Sequence, residues 1–250
     1  MKLFAAAVVT VATALFAVSG AALARDEPKA AAMSAAQATA AAANPGSTKV
    51  KEVQAAISPD AAIKLLKEGN TRFTSGKMVK RDLKKQVATT GKGQYPFASI
   101  VSCIDSRSSP ELVFDQGIGD MFVSRVAGNI VNEDILGSLE FASKAAGAKV
   151  IVVLGHTSCG AIKGACDDVK LGNLTGLLAK MKPAVASVKE TGDRSSKNTA
   201  FVEKVAEANV QDTVKAIMAK SPVLKEMAGK GEIKIVGAML DVTTGKVLWY

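Results

Sequence analysis

VIVVLGHTSCG, residues 150–160, begins with a continuous apolar run and continues into a segment that contains a histidine and a cysteine. Its first five residues, 150–154, are rich in β-branched side chains and do not alternate apolar with polar positions, which predicts a strand buried on both faces. Residues 97–101 and 121–126 form runs of the same kind. Strands of this type are typical of a parallel sheet that helices cover on both sides.

Helical patterns lie between and beyond these runs. Ser58, followed by a proline, is an N-cap signal for a helix that ends near Gly69 or Gly76. Helices are also predicted over three later segments: residues 133–146, 174–188 and 198–219. A late strand at 233–240 leads through DVTTGK into an apolar run at 247–249, which predicts a hairpin. The sequence therefore predicts an α/β fold: a mainly parallel central β-sheet flanked by helices, with a C-terminal antiparallel edge hairpin.

The N-terminus has the composition of a targeting segment. Lys2 precedes an apolar, small-residue run over 3–18 and the triplet Ala-Leu-Ala at 22–24, which predicts a secretory signal peptide over residues 1–24. The alternative is an uncleaved membrane anchor, since about 20 apolar residues span a bilayer. Cleavage at the small-residue triplet is the favoured interpretation. It predicts an exported protein, periplasmic in a cell with two membranes, with no stable membrane insertion.

Two further segments follow the predicted cleavage site. Residues 25–57 are alanine-rich and lack an apolar periodicity, so we predict an N-terminal tether with no face to bury. Residues 58–250 are predicted to form a single α/β domain. The chain carries a net charge of +9, but its lysines are scattered and its aromatic content is 4%, so we expect no nucleic-acid partner.

Residues with metal-binding chemistry lie at the ends of two predicted strands. Cys103 follows the first buried run, and the chain's only histidine, His156, follows the third together with Cys159. In an open α/β sheet the carboxyl ends of the strands line one crevice, so these residues can meet. Two thiolates and an imidazole fill three of the four tetrahedral positions of zinc (Zn²⁺) and leave one for water or substrate. The alternatives are a buried structural cysteine, a hydrogen-bonded structural histidine, or a disulfide of Cys159 with Cys103 or Cys166.

Two charged residues lie beside the first candidate ligand. Asp105 and Arg107 fall on one side of the chain if it stays extended after Cys103. The arginine would hold the aspartate ionised through its charge and paired hydrogen bonds. Such a carboxylate can orient a metal-bound hydroxide by accepting its hydrogen bond, or can close the site as a fourth ligand. The alternative is a surface ion pair worth about 0–1 kcal/mol.

These motifs together resemble those of the β-class carbonic anhydrases. The resemblance is carried by CIDSR at 103–107 and GHTSCGAIKG at 155–164, and it extends over GQYP at 93–96, DMFVSRVAGN at 120–129 and GSLEFA at 137–142. It covers residues 58–164 well and the remainder only by its general α/β pattern. The implied activity is the reversible hydration of CO2 to bicarbonate and a proton, by attack of a zinc-bound hydroxide.

The resemblance implies zinc on Cys103, His156 and Cys159, with Asp105 and Arg107 as the dyad that orients the hydroxide. Two rival functions use the same residues. One is a metal-free acyl-transfer enzyme with Cys159 as nucleophile and His156 as its base. The other is a sensor that binds zinc or bicarbonate without turnover, in which Asp105 stays in place as the fourth ligand.

Three further residues have roles that only the resemblance implies. Gln94 falls where the family places a glutamine that hydrogen-bonds substrate across a subunit interface, which implies a homodimer or homotetramer. Phe122 matches an apolar pocket residue, and Gly160 matches a glycine whose backbone lies against the site. Phe141 stands where some relatives have a tyrosine. With His156 on zinc, no second histidine remains to carry protons out of the site.

Overall fold

The computed structural model describes residues 34–250, so the predicted signal peptide and residues 25–33 lie outside the described part of the chain. The α-helices of the described residues are α1 (Ala35–Ala43), α2 (Lys51–Ala56), α3 (Pro59–Thr74), α4 (Leu83–Thr90), α5 (Pro110–Val113), α6 (Glu133–Glu140), α7 (Gly160–Cys166), α8 (Gly172–Ala179), α9 (Lys182–Ser187), α10 (Thr199–Lys220) and α11 (Pro222–Gly229). The strands are β1 (Ala98–Ser102), β2 (Met121–Arg125), β3 (Val150–His156), β4 (Lys234–Leu240) and β5 (Val247–Trp249). Within residues 34–250, no helix has both the length and the apolar character needed to cross a membrane.

The strands form one sheet in the order β2-β1-β3-β4-β5. Neighbouring strands are parallel from β2 to β4, and β4 pairs with β5 antiparallel. Ser102 at the end of β1 lies opposite Arg125 of β2 and Leu154 of β3, so the carboxyl ends of these three strands lie together. The predicted parallel sheet with a C-terminal antiparallel hairpin is confirmed.

The sheet is covered on both faces, and every residue of β1 and β3 is buried. Ile151 belongs to an apolar core that includes Phe201 of α10, whereas its neighbour Val152 belongs to a second core with Leu66 of α3. Successive side chains of a strand point to opposite faces, so both faces of β3 need apolar residues. This explains why the run does not alternate. Full burial of one such side chain contributes about 1.5–3 kcal/mol.

Helix α3 begins and ends where its local signals predict. Ser58 Oγ accepts a hydrogen bond from the N–H of Ala61 at 3.2 Å, which satisfies one of the unpaired donors of the first turn. The chain leaves the helix through Gly76, whose φ of +70° suits a residue without a Cβ.

The later helices agree with the prediction less uniformly. The helix predicted over 133–146 is α6 continued by a π-helical turn over Phe141–Ala145, and the helix predicted over 198–219 is α10. The segment 174–188 forms two helices, α8 and α9, rather than one. Pro183 lies in the first turn of α9, where its missing N–H is tolerated, whereas a continuous helix would need that donor. Helices α4, α5, α7 and α11 were not predicted.

The prediction that residues 25–57 form a tether with nothing to bury is wrong for residues 34–57. Four apolar side chains of this segment are buried: Ala38, Ala42, Val53 and Ile57. Gln54 Nε2 donates to the carbonyl oxygens of Pro96 at 2.6 Å and of Ala146 at 2.7 Å. These hydrogen bonds join the segment to the loops that lead into β1 and β3. Ala38 and Ala42 are four residues apart, as are Val53 and Ile57, which is the spacing of one helix face. This periodicity was missed because most of the surrounding residues are also alanines.

A buried ion-pair network fixes the loop after α5. Asp115 is fully buried, and its carboxylate accepts hydrogen bonds from Arg72 Nε at 2.6 Å, from Arg81, and from the N–H of Val79 at 3.2 Å. Burial alone would raise the pKa of Asp115, but these hydrogen bonds outweigh burial and hold the pKa below its ordinary value. The carboxylate of Asp115 therefore pairs with two guanidinium groups, those of Arg72 and Arg81.

Candidate metal centre

The fold brings the three predicted ligands together. Cys103 directly follows β1, His156 is the last residue of β3, and Cys159 precedes α7 as its N-cap. One ligand atom from each lies within 4.8 Å of the other two, and the residues are 4%, 1% and 1% exposed. They meet because β1 and β3 are adjacent parallel strands whose carboxyl ends lie side by side. All three cysteines of the chain, including Cys166, are free thiols in the structure, so neither of the alternative disulfides forms.

The imidazole of His156 is fixed in one tautomer. Its Nδ1 lies 2.9 Å from the carbonyl oxygen of Thr157. Because a carbonyl oxygen only accepts hydrogen bonds, Nδ1 carries the hydrogen and Nε2 presents a lone pair. Nε2 is buried and makes no hydrogen bond within residues 34–250. A buried lone pair without a donor, close to two sulfur atoms, fits a ligand of a metal ion.

The pKa values of the two sulfur atoms are shifted in opposite directions. A hydrogen bond from the Cys159 thiol lowers the pKa of Cys103 well below its ordinary value, and the N–H of Gly128, 3.4 Å from Cys103 Sγ, acts in the same direction. The hydrogen bond to Cys103 and burial raise the pKa of Cys159. Burial lowers the pKa of His156, but the close approach of the Cys103 sulfur and the charge of that sulfur outweigh burial and raise the pKa overall. Of the two sulfurs, Cys103 is therefore the one whose pKa favours the ionised form.

Asp105 and Arg107 form a closely paired unit beside the cluster. Arg107 Nε donates to Asp105 Oδ1 at 2.9 Å, its Nη2 donates to Oδ2 at 2.8 Å, and its backbone N–H donates to Oδ1 at 3.0 Å. These hydrogen bonds hold the pKa of Asp105 well below its usual range, so the carboxyl group is ionised. Oδ2 lies 3.9 Å from His156 Nε2, which places the carboxylate at the border of the cluster.

The remaining predicted residues are not brought to the same point. Gln94 is exposed in the segment before β1, whereas Cys103 follows the opposite end of that strand. Phe122 is the second residue of β2 and packs edge-to-face against Phe141 with ring centroids 6.1 Å apart. Both aromatic rings line a surface cleft, and none of the three predicted ligands lines it. Gly160 opens α7 directly after Cys159, so its backbone lies beside the cluster.

The sequence did not single out two residues that shape the cluster. Arg125, at the end of β2, donates from Nε to the carbonyl oxygen of Cys103 at 2.9 Å and from Nη2 to that of Asp105 at 2.6 Å. Gly128 donates to Cys103 Sγ from a backbone with φ +73°. Both residues lie in the stretch 120–129. Their contacts with Cys103 and Asp105 depend on the register between β1 and β2, which cannot be predicted from the local sequence.

Comparison with known proteins gives matches along most of the chain. The family model described as carbonic anhydrase matches residues 98–247. Carbonic anhydrase 2 of Mycobacterium tuberculosis is 36% identical over 196 residues, which are 76% of this chain and 92% of the relative. The carbonic anhydrase of Mycolicibacterium smegmatis is 32% identical with the same coverage. Among solved structures, the β-carbonic anhydrase CafA of Aspergillus fumigatus has a TM-score of 0.57 at 26% identity, over 76% of this chain and 89% of that chain. These matches span both segments that supply the cluster.

Proposed function

Because this chain belongs to the β-class carbonic anhydrase family, we propose that it hydrates CO2 reversibly to bicarbonate and a proton with zinc held by Cys103, His156 and Cys159. The observation that carries the proposal is the convergence of two sulfurs and one imidazole nitrogen within 4.8 Å of one another. Sulfur ligands favour zinc over magnesium or calcium. Three protein ligands leave one tetrahedral position for water or substrate, as a catalytic zinc site requires.

The protein residues around the ion have separate tasks. A bound zinc ion supplies a Lewis acid that lowers the pKa of a coordinated water. The carbonyl of Thr157 keeps the Nε2 lone pair of His156 available for binding. The Gly128 N–H stabilises negative charge on Cys103 Sγ, since a donor facing a thiolate favours its ionised form.

Asp105 is proposed to orient the attacking oxygen. An ionised carboxylate accepts hydrogen bonds and donates none. An oxygen beside Oδ2 must therefore turn its O–H toward Asp105, which leaves a lone pair free for the carbon of CO2. Arg107 holds both carboxylate oxygens in place through its three hydrogen bonds. Because those bonds hold both oxygens and leave Oδ2 one acceptor position for an O–H donor, we propose that Asp105 stays outside the zinc ligand set in the resting enzyme.

Gln94 is proposed to act in the site of a second copy of the chain. Strand β1 alone places about 13 Å between the segment of Gln94 and Cys103 of the same chain, since a strand rises about 3.3 Å per residue. Strand β2 is an edge strand next to the cluster, where another chain can approach. We therefore propose a homodimer or homotetramer, with Gly160 of one chain and Phe122 of its neighbour lining the substrate position. Light scattering after gel filtration measures the mass, and a monomer with full activity would contradict this arrangement.

We also propose that the protein is exported. The support is the charged start, apolar run and Ala-Leu-Ala triplet of residues 1–24, with a periplasmic location in a cell with two membranes. Mass spectrometry of the protein from its native source is expected to find Arg25 as the first residue. A mature protein that retains residues 1–24 would contradict export by cleavage.

The decisive experiment pairs two cysteine variants. Zinc content is measured by elemental analysis and CO2 hydration by stopped flow, for the wild type, Cys103→Ala and Cys166→Ala. Cys166 is a free, half-buried thiol at the end of α7 and is not part of the cluster, so it controls for the loss of a thiol as such. We expect Cys166→Ala to keep zinc and activity and Cys103→Ala to lose both. A Cys103→Ala protein with wild-type zinc and activity would refute the proposal.

The same measurements separate the two rival functions. A metal-free acyl-transfer enzyme would keep its activity after a chelator has removed all metal. A sensor would bind zinc tightly but give no hydration above the buffer rate. The buried thiolate–imidazole cluster favours the zinc enzyme over the acyl-transfer enzyme, because the latter gives Cys103 no role.

A further inference from the structure

Helix α10 contacts the backbone on both sides of the cluster. Glu203 Oε1 accepts the N–H of Ser158 at 2.9 Å, within the turn that joins His156 to Cys159. Two turns further along, Asn209 Nδ2 donates to the carbonyl oxygen of Gly128 at 2.7 Å, in a buried hydrogen bond. The N–H of that same Gly128 faces the sulfur of Cys103, as described above. One helix therefore contacts both the turn that leads to Cys159 and the residue whose N–H faces the sulfur of Cys103.

Both segments have backbone conformations that need such support. Ser158 has φ +55° and Gly128 has φ +73°, so both lie in the left-handed region. For a serine this conformation is unfavourable on its own and persists where surrounding contacts hold it. Hydrogen bonds to the Ser158 N–H and the Gly128 carbonyl act at the two turns themselves.

Helix α10 is itself firmly anchored. It has 22 residues, and Phe201, Val205 and Val210 on its inner face are fully buried. At Gly155, the residue before His156, an added Cβ would come within 2.5 Å of Val210 Cγ2, so the helix lies directly against the end of β3. A helix fixed against the strand can therefore set the position of the two turns relative to it.

We propose that Glu203 and Asn209 are positioning residues, which set the distance between the sulfurs of Cys103 and Cys159 and thereby the strength and geometry of zinc binding. The proposal rests on the proposed function, because it requires a metal ion at the cluster. Glu203 acts through the Ser158 N–H and Asn209 through the Gly128 carbonyl. Partners that orient metal ligands in this way generally change metal affinity about 10–100-fold when they are removed.

The test measures zinc affinity by chelator competition and the absorption bands of the cobalt-substituted protein, which report the ligand geometry. The variants are Glu203→Ala, Glu203→Gln and Asn209→Leu, with Thr213→Val as the control. Thr213 is a buried polar residue one turn beyond Asn209 on α10, so its loss tests the helix without touching either turn. We expect Glu203→Ala and Asn209→Leu each to weaken zinc binding about 10-fold or more and to shift the cobalt bands. Glu203→Gln keeps an oxygen acceptor for Ser158 and, like Thr213→Val, is expected to match the wild type.

The outcomes distinguish this proposal from the proposed function. If folded Glu203→Ala and Asn209→Leu bind zinc as tightly as the wild type, with unchanged cobalt bands, the positioning role is refuted while the zinc site stands. If the wild type itself binds no zinc, the proposed function fails and this role fails with it. Circular dichroism checks folding. If Asn209→Leu does not fold, the Glu203→Ala and Glu203→Gln pair at its partly exposed position decides the question alone.

Discussion

Gly128→Ala is expected to destabilise the metal-free protein by about 2–5 kcal/mol, through two separate costs. A Cβ at the observed φ of +73° costs about 1–2 kcal/mol. The new methyl group would also come within 2.6 Å of Met181 Sδ, and because Met181 is fully buried its side chain has little room to yield. Overpacking of this kind costs about 1–3 kcal/mol. For a domain of this size the melting temperature falls about 2–4 °C per kcal/mol, so we expect a drop of at least about 4 °C.

Gly137→Ala is the matched control for this variant. Gly137 lies within α6, and an added Cβ there meets no atom within 4 Å. Alanine in a helix interior is expected to stabilise the protein by about 0.5–1 kcal/mol relative to glycine. Calorimetry on chelator-treated protein measures both variants without a contribution from bound metal. Equal melting temperatures for Gly128→Ala and Gly137→Ala would refute the argument from the left-handed turn and the Met181 contact.

Asp105→Asn keeps the side-chain size but removes the charge, so we expect CO2 hydration to fall about 100-fold with zinc content unchanged; a wild-type stopped-flow rate would contradict the orienting role. Asp115→Asn leaves two guanidinium groups without their carboxylate, and urea denaturation at neutral pH should show a loss of about 3–5 kcal/mol. Because the folded pKa of Asp115 is depressed, the wild type has this stability above the ordinary aspartate pKa near 4 and loses it as pH falls further; an identical acid dependence in the variant would count against the network. Deleting residues 1–57 removes four buried apolar side chains and should lower the free energy of unfolding by about 3 kcal/mol or more. Deleting residues 1–33 leaves every described contact in place and is the control. Equal melting temperatures for the two deletions would restore the tether interpretation. With His156 in the cluster as the chain's only histidine, turnover should rise with buffer concentration at fixed pH, and a flat profile would point to an internal proton relay.

The convergence of Cys103 with His156 was predictable because two physical rules combine. Apolar runs without alternation identify strands buried on both faces, and such strands are parallel. Parallel neighbours end at the same side of a sheet, so residues that follow two of them meet. The pairing of Asp105 with Arg107 could be predicted without knowing the sheet, since the two residues are close in sequence and opposite in charge.

The supports of the cluster were not predictable by these rules. Glu203 and Asn209 reach partners that are far away in sequence, and nothing in the local pattern of α10 separates them from other polar residues. Their contacts follow from how the helix packs on the sheet, which depends on the whole apolar core. The buried alanines of α1 were missed for a related reason, because an alanine-rich segment offers no contrast between its inner and outer faces.

The distance of the three candidate ligands along the chain bears on how the proposed metal would be acquired. His156 and Cys159 are neighbours and can chelate a cation early, whereas Cys103 joins them only after β1 and β3 have paired around the excursion to β2. Parallel pairing between distant segments is slow to form in folding. A nascent chain would therefore offer the proposed ion only two of its three ligands, and tight retention would begin when the native register is reached. A metal ion that resists exchange would then mark molecules that have finished folding.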